Sequence, residues 1–465
     1  MTVLHDMTAA ELLAAYKSKK LSPVEAVDAV IARIEVWEPK LKALYAPDFE
    51  GARKEARASE KRWQEGKPKG ALDGVPITIK ENIPTKGVPV PLGTAATELV
   101  PAATDAPASA RVREAGAVIL AKTTMPDYGM LSSGRSSFHP LTRNPWNLAW
   151  NPGGSSAGAG AAAAAGYGPL HLGTDIGGSV RLPATWNGIF TLKPSLGRVP
   201  VDPPYFGRAI GPMTRTVADS ALLMAELSKP DARDHMSLPA ADIDWSTGPL
   251  DPKGLKIGLH LDAGSGLPVD AEVKAAIEAA AKLFADAGAK IEPVAPFLSP
   301  EMLHLQDLFW RVRSWVDFSA LSHARQASVL PFIADWCRGG ADVSGTMMIK
   351  GVANYMAIRA AATKATQPFD YVLSPVSPVP TYRAEWETPT NDVNRPLEHI
   401  SFTMPYNMSE QPAASINCGY TREGKPIGVQ IAGRRFDDLG VIRISRWFET
   451  ARGRQKKWPE PPGAG

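Results

Sequence analysis

The chain has 465 residues, of which 44% are hydrophobic and 21% charged, so it can bury a large core and is neither disordered nor fibrous. Lys and Arg number 51 and Asp and Glu number 48, a formal net charge of +3. This balance is too close to neutral to drive binding to a nucleic-acid backbone or an acidic membrane. We therefore do not expect nucleic acid or a membrane as a partner.

Cysteine and histidine usage argues against a disulfide scaffold and against a metal site. Cys337 and Cys418 are the two cysteines, and they have no second pair with which to build a zinc site. No two of the eight histidines have a spacing that would place them on one helical face. The first 13 residues lack a basic start followed by an apolar run, and no apolar stretch of about 18 residues occurs. We expect a cytoplasmic protein without metal, cofactor or membrane span.

Two helices are predicted to open the chain. The runs Thr8–Glu11 and Ser22–Glu25 both have the spacing of a capping box. Pro39 is expected to end the second helix. An alternating strand over 75–80 follows, and it ends at Lys80.

The middle and end of the chain alternate between strand and helix patterns. An apolar run over 117–120 is typical of a strand buried on both faces of a parallel sheet. Later elements are predicted as a small-residue helix over 157–165, a strand over 170–173, a helix over 216–227, a strand over 255–259, a helix over 270–287, a strand over 369–373, a hairpin over 412–431 and a helix over 437–451. The stretch 229–252 is predicted to be a surface excursion.

The glycine and serine clusters offer several candidate sites. The run Gly154–Gly158 fits a nucleophile elbow with Ser156 as nucleophile, and the run Gly158–Ala163 fits a loose dinucleotide loop. Both patterns need a buried strand directly before them, whereas the preceding residues are polar and interrupted by Pro152. Without a histidine base, a serine nucleophile needs a lysine whose pKa is lowered by burial, and Lys80 at the end of an apolar strand is suitably placed.

Several of these runs together resemble the amidase signature family. The matching runs are Gly74–Asn82, Thr142–Asn147, Gly153–Ser156 with the alanine helix after it, Leu172–Ala184, Leu192–Val199, Gly211–Asp219 and Gln411–Ser415. The opening helices also match, and the region 229–400 is the least similar.

The resemblance implies a catalytic triad of Ser179 as nucleophile, Ser155 as bridging serine and Lys80 as terminal base. It also implies a cis peptide bond between Gly154 and Ser155. The backbone N–H groups implied for an oxyanion hole are those of Ile176, Gly177, Gly178 and Ser179. Gly154, Asp175 and Arg181 are expected to support these residues, although Arg181 could instead bind an acidic substrate.

The fold implied by the resemblance is α/β, with one α/β/α layered domain around a central mixed, largely parallel sheet. We place this amidase domain over 1–455, with a signature core over about 74–220, a variable substrate-pocket region over about 229–400 and a loose tail over 456–465.

The implied activity is hydrolysis of a carboxylic amide to acid and amine through a serine acyl-enzyme. The aromatic run between Leu303 and Trp336 suggests a roomy apolar pocket for aryl or alkyl amides, with esters and carbamates as further substrates. The aromatic residues of this run include Phe309, Trp310, Trp315, Phe318 and Phe332. Most of them are expected in the core and a few in the pocket wall. Glu410 and Thr124 replace residues common in the family and could mark an altered pocket.

Three alternatives remain open. The chain could be the A subunit of a glutamyl-tRNA amidotransferase complex, although its loop Tyr205–Ile210 differs from that subunit's usual acidic loop. It could also hydrolyse a urea- or biuret-type substrate or a urethane. A catalytically silent binding protein is disfavoured by the intact Lys80, Ser155 and Ser179. The oligomeric state is open, with a homodimer as one candidate.

Overall fold

A computed structural model describes residues 3–462. Its helices are α1 (Ala9–Lys17), α2 (Pro23–Leu41), α3 (Phe49–Gln64), α4 (Pro107–Glu114), α5 (Ala157–Ala165), α6 (Arg181–Asn187), α7 (Val217–Leu227), α8 (Ala271–Asp286), α9 (Pro300–Ser319), α10 (His323–Gln326), α11 (Pro331–Arg338), α12 (Gly345–Thr366), α13 (Met404–Met408) and α14 (Asp438–Ala451). Its strands are β1 (Leu44–Tyr45), β2 (Pro76–Lys80), β3 (Val118–Thr123), β4 (Leu170–Asp175), β5 (Phe190–Lys193), β6 (Ala209–Thr214), β7 (Lys256–Leu259), β8 (Lys290–Pro293), β9 (Tyr371–Pro375), β10 (Ala413–Tyr420) and β11 (Pro426–Gly433).

The strands form a single mixed sheet in the order β1-β3-β2-β4-β6-β5-β10-β11-β9-β7-β8. The predicted mixed α/β class is confirmed. Within residues 3–462, four neighbouring pairs are parallel and six are antiparallel, so the antiparallel share is larger than predicted. Several of the antiparallel pairs lie at the centre of the sheet. There the predicted hairpin of β10 and β11 lies beside the short strands β5 and β6, which are also antiparallel to each other.

Helices cover both faces of the sheet. Along β3, Ile119 packs against a core that contains residues of α1, α4, α7, α8 and α14, whereas Val118 and Leu120 pack against α2, α3 and α5. Successive side chains of a strand point to opposite faces, so these two cores lie on opposite sides of the sheet. The result is the predicted helix–sheet–helix layering.

Local sequence signals explain the first two helices, with one exception. Thr8 and Ser22 each form the predicted capping box, with Glu11 and Glu25 respectively. The prediction that Pro39 ends α2 is wrong, because the helix continues to Leu41. The helix ends after Leu41, where Lys42 adopts a left-handed conformation.

The region 300–366 adds four helices, α9 to α12, that the sequence patterns did not predict. Their apolar side chains form a separate core with Leu182 and Trp186 of α6. This core places the added helices beside the turn between β4 and α6. The stretch 229–252 has no helix or strand, as expected of a surface excursion. In residues 3–462 we find no helix with the length and apolar character of a membrane span.

Candidate active site

Lys80 lies at the carboxyl end of β2 and contacts three hydroxyl groups. Its Nζ is 2.8 Å from Ser155 Oγ, 2.9 Å from Thr174 Oγ1 and 3.1 Å from Ser156 Oγ. The two serines immediately precede α5, and Thr174 belongs to β4, which pairs in parallel with β2. The sheet and the small-residue helix α5 therefore bring together residues that are 75 to 94 positions apart.

Burial sets the protonation state of Lys80. Its side chain is completely buried, and burial lowers the pKa of its amine to about 7, against the opposing charges of Asp175 and Glu81. The positive charge of Arg208 lowers the pKa of Lys80 further. A substantial fraction of this amine is therefore neutral near pH 7 and can accept a proton.

Close packing around Gly154 positions Ser155. The peptide bond between Gly154 and Ser155 is cis. A Cβ atom at Gly154 would collide with the backbone of Leu131 and Ser133, so glycine is required there. The Ser155 hydroxyl faces a cleft that Ser179 also lines. Within residues 3–462, the hydroxyls of Ser155 and Ser179 are not hydrogen-bonded to each other.

Ser156 does not have the environment of a nucleophile elbow. It is buried, and its Oγ accepts from the backbone N–H of Thr174 and donates to the carbonyl of Thr174, both at 3.2 Å. His171, the first histidine that follows Ser156 in the sequence, lies inside the sheet. The His171 ring contacts Thr78 Oγ1 at 2.7 Å and Gly168 O at 3.0 Å, and burial lowers its pKa to about 3. His171 is thus a structural residue.

A buried ion pair supports the turn that carries Ser179. Asp175 accepts hydrogen bonds from the N–H of Gly178 at 2.8 Å and of Val180 at 3.1 Å. Its carboxylate also pairs with Arg181 at 2.9 Å, and neither side chain is exposed. Burial alone would raise the pKa of Asp175, but the charge and hydrogen bonds of Arg181 outweigh burial and hold it below its usual range. Asp175 therefore remains a carboxylate and fixes the turn.

Arg181 does not reach the cleft. Besides Asp175, its guanidinium donates to the Thr403 carbonyl at 2.8 Å, to Gln430 Oε1 at 2.8 Å and to Asn407 Oδ1 at 2.6 Å. Because all N–H donors of its guanidinium bond to protein groups, this arginine has no free donor for an acidic substrate. The structure thus favours the supporting role over the substrate-binding one.

The turn leaves three backbone N–H groups unoccupied. Among the described residues, the N–H groups of Ile176, Gly177 and Ser179 have no hydrogen-bond partner, whereas that of Gly178 is bonded to Asp175. Gly178 has a φ of 131°, which strongly favours glycine. Thr403 Oγ1 donates to the carbonyl of Gly177 at 2.6 Å and so fixes the orientation of the following peptide.

The cleft above Ser155 and Ser179 has apolar walls and a polar end. Its empty space, counted out to the mouth, is about 830 Å³. Of the five aromatic residues considered for the pocket, Trp310 lines the cleft, and Trp336 from the same region joins it. The other apolar lining residues include Met130, Leu131, Ile176, Leu182, Pro396, Leu397 and Ile400. The polar end includes Tyr205, Arg208 and Arg313.

The two family departures, Glu410 and Thr124, lie outside the cleft lining. Glu410 pairs with Arg359 and with Arg435, and Thr124 Oγ1 lies 2.7 Å from Thr142 Oγ1. Both positions therefore contribute to structure and do not alter the pocket wall.

Sequence reasoning missed several residues that complete the site. Thr174 follows a predicted strand, and its position on the strand next to Lys80 could have indicated a contact. Thr403, Asn407 and Gln430 had no comparable signal, because they lie more than 220 residues after the turn that they support. In residues 3–462 no group of three His, Cys, Asp or Glu side chains is arranged to hold a metal ion.

Comparison with known proteins identifies the relatives of this chain. Residues 25–442 match the family described as Amidase. The A subunit of glutamyl-tRNA(Gln) amidotransferase from Myxococcus xanthus (strain DK1622) is 34% identical, covering 96% of this chain and 97% of that protein. The acylamidase of Rhodococcus erythropolis is 31% identical, covering 97% of this chain and 96% of that enzyme. The crystal structure of a bacterial aryl acylamidase of the amidase signature family has a TM-score of 0.89 and 31% identity, covering 97% of both chains.

Proposed function

The chain belongs to the amidase signature family and hydrolyses carbon–nitrogen bonds of amides, and we propose that its substrates are aryl or alkyl carboxylic amides. The proposed products are a carboxylic acid and an amine. The observation that carries the proposal is the buried Lys80 amine, which lies 2.8 Å from Ser155 Oγ beside the cleft that Ser179 lines. We further propose that the enzyme acts in the cytoplasm on a small-molecule substrate.

The proposed reaction begins with a relay of protons. Neutral Lys80 accepts the proton of Ser155, Ser155 accepts that of Ser179, and the Ser179 oxygen forms a bond to the substrate carbonyl carbon. The carbon–nitrogen bond then breaks, and the proton returns through the relay to the departing amine. Water attacks the resulting ester on Ser179 by the same relay, releases the acid and regenerates the serine.

Backbone N–H groups are proposed to stabilise the negative oxygen that forms during the attack. The N–H groups of Ile176, Gly177 and Ser179 are suited to this role because they lack partners in the described part of the chain. Gly178 is left out, since its N–H is bonded to Asp175. Removal of one such donor costs about 10²- to 10³-fold in kcat in other enzymes.

The walls of the cleft support the preference for aryl or alkyl groups. Trp310, Trp336, Met130 and Ile400 offer apolar contact area next to the reacting serine. Such a surface gains free energy from burying a ring or an alkyl chain, but not from a small polar urea. Esters and carbamates present the same carbonyl to Ser179 and are further proposed substrates.

The test is a panel of anilides, alkyl amides, esters, carbamates and ureas, assayed with the purified chain and with Ser179→Ala. We expect hydrolysis of anilides or alkyl amides with a burst of amine release, which marks an acyl-enzyme. Ser179→Ala should lose the activity by about 10³-fold or more. Cleavage of short-chain amides or ureas without any cleavage of anilides would overturn the proposed preference.

A second candidate function is that of an amidotransferase component. The observation that favours it is the 34% identity to the Myxococcus xanthus protein over nearly the full chain. Copurification of partner proteins together with glutamine-dependent release of ammonia would support this candidate. Efficient anilide hydrolysis by the isolated chain without activity on glutamine would exclude it.

A further inference from the structure

Two arginine side chains in the catalytic cleft have no carboxylate partner. Arg208 lies in the loop before β6, and Arg313 lies in α9; both are half-buried and line the cleft with Ser155 and Ser179. Throughout residues 3–462, no carboxylate lies within 4.0 Å of either guanidinium. Arg208 donates one hydrogen bond, to the carbonyl of Pro203 at 3.2 Å.

Tyr205 links the two arginines. The guanidinium carbon of Arg208 lies 5.3 Å from the centre of the Tyr205 ring, and that of Arg313 lies 4.6 Å from it. The Tyr205 hydroxyl is buried and has no hydrogen-bond partner among the described residues. Burial raises the pKa of this phenol, so its oxygen keeps its proton and can donate. Tyr205, Arg208 and Arg313, which line the same cleft, thus all carry hydrogen-bond donors.

Other arginines that are half-buried or more have acceptors within the molecule. Many have a carboxylate partner, among them Arg33, Arg62, Arg181, Arg198, Arg215, Arg311 and Arg359. Arg443, Arg446 and Arg452 have no carboxylate partner but donate to backbone carbonyls. Arg313, by contrast, donates no hydrogen bond to any of the described residues. Two neighbouring cations in a partly desolvated site repel each other. Burial, and to a smaller extent the positive charge of Arg313, lowers the pKa of Arg208 to about 10. A guanidinium with that pKa is charged near pH 7, so the cleft holds a positive charge that a bound anion would neutralise.

We propose that the amide substrate carries a carboxylate, which binds to the guanidinium groups of Arg208 and Arg313 and to the hydroxyl of Tyr205. A carboxylate matches the flat, forked donor geometry of arginine, and the tyrosine adds a third donor. Trp310, Trp336 and Ile400 then hold the apolar body of the same substrate. This inference rests on the proposed amidase function and narrows its substrate class to anionic amides.

Two pairs of substrates test the inference from both sides of the amide bond. The first pair is 4-acetamidobenzoate and 4-methylacetanilide, in which the carboxylate is on the amine part. The second pair is N-phenylsuccinamate and butyranilide, in which the carboxylate is on the acyl part. We expect the carboxylated member of at least one pair to have a kcat/KM higher by about tenfold or more. Neutral members that are equal or better in both pairs would overturn the proposal while leaving the amidase function intact.

Variants connect this preference to the two arginines. In Arg208→Gln and Arg313→Gln, the ratio of kcat/KM between the carboxylated and neutral members should fall by about tenfold or more. The ratio is the proper readout, because the charge of Arg208 also acts on Lys80 and its loss changes the rate with both substrates. Arg57→Gln, which removes an exposed arginine of α3, is the matched control and should leave the ratio unchanged.

A binding measurement keeps the inference testable without turnover. Calorimetry with Ser179→Ala should detect binding of 4-acetamidobenzoate or N-phenylsuccinamate, whichever belongs to the pair that shows the preference, with a Kd that rises by about tenfold or more when Arg208→Gln is added. An unchanged Kd would overturn the carboxylate site. If the carboxylate binds through Arg208 but no amide is hydrolysed by the folded wild-type protein, the proposed amidase function fails and the anion site stands.

Discussion

Thr174 Oγ1 lies 2.9 Å from the Nζ atom of Lys80, close to the 2.8 Å between that atom and Ser155 Oγ. A protonated lysine donates three hydrogen bonds, whereas a neutral amine donates two and accepts one. Three hydroxyls surround this amine, so the neutral form can donate to Thr174 and Ser156 while it accepts the proton of Ser155. Thr174 is therefore proposed to orient the lone pair of Lys80 toward Ser155.

The first prediction tests Thr174. Thr174→Val keeps the shape of the side chain but leaves one N–H of Lys80 without an acceptor. We expect kcat/KM to fall by about tenfold to a hundredfold. The midpoint of the pH dependence should also move to lower pH, because the ammonium form loses an acceptor. Thr174→Ser retains the hydroxyl and should stay close to wild type, and wild-type kinetics in Thr174→Val would contradict the orienting role.

The second prediction concerns pH. The pKa of Lys80 is lowered by burial to about 7, and the proposed relay requires its neutral form. With a neutral anilide, kcat/KM should rise about tenfold per pH unit below pH 7 and reach a plateau above it. Measurement from about pH 5 to pH 9 checks this profile. A rate that is constant down to pH 5, or one that keeps rising beyond pH 9, would show that Lys80 is not the titrating base.

The third prediction separates the two adjacent serines. Ser155→Ala breaks the relay between Lys80 and Ser179 and should reduce kcat/KM by about 10²- to 10⁴-fold. Ser156→Ala removes one acceptor from Lys80, as Thr174→Val does, and should reduce it by about tenfold to a hundredfold. Steady-state kinetics of the two variants on one anilide gives the comparison. A larger loss in Ser156→Ala than in Ser155→Ala would reverse the proposed roles.

Much of this site could be predicted from the sequence because its central residues lie in short, ordered motifs. The strand that ends at Lys80 can be recognised from its alternating residues. The glycine-rich turn around Ser179 can be recognised from its resemblance to a family motif. The buried contacts of Lys80 follow from two strands that pair in parallel, β2 and β4. Such local patterns can be recognised in the sequence without knowledge of the whole fold.

The residues that complete the site could not be predicted, because they come from distant segments with little local pattern. Asn407 and Thr403 approach the Ser179 turn across more than 220 positions, and nothing near them in sequence indicates that contact. Arg313 lies on α9, and no local pattern in that helix indicates that this arginine lines the cleft with Ser179. Tertiary packing decided these positions.

The fourth prediction addresses the stability of the Ser179 turn. Asp175→Asn removes the negative partner of Arg181 while that guanidinium remains completely buried. Breaking a buried ion pair from one side leaves an uncompensated charge and costs about 3–5 kcal/mol in the free energy of unfolding. We expect Asp175→Asn to lower the urea midpoint strongly and to lose activity, because the N–H of Gly178 also loses its acceptor charge.

Two further variants distinguish this explanation from a general loss of packing. Asp335→Asn removes the acid of an exposed pair with Arg338, whose side chains are 63% and 54% exposed, and should cost about 1 kcal/mol or less. Adding Arg181→Gln to Asp175→Asn removes the stranded charge as well, so the double variant should recover part of the lost stability. Urea unfolding of Asp175→Asn, Asp335→Asn, the double variant and Arg181→Gln alone gives the comparison. If the double variant is less stable than Asp175→Asn by the full cost of Arg181→Gln alone, the two side chains act independently and the charge argument fails.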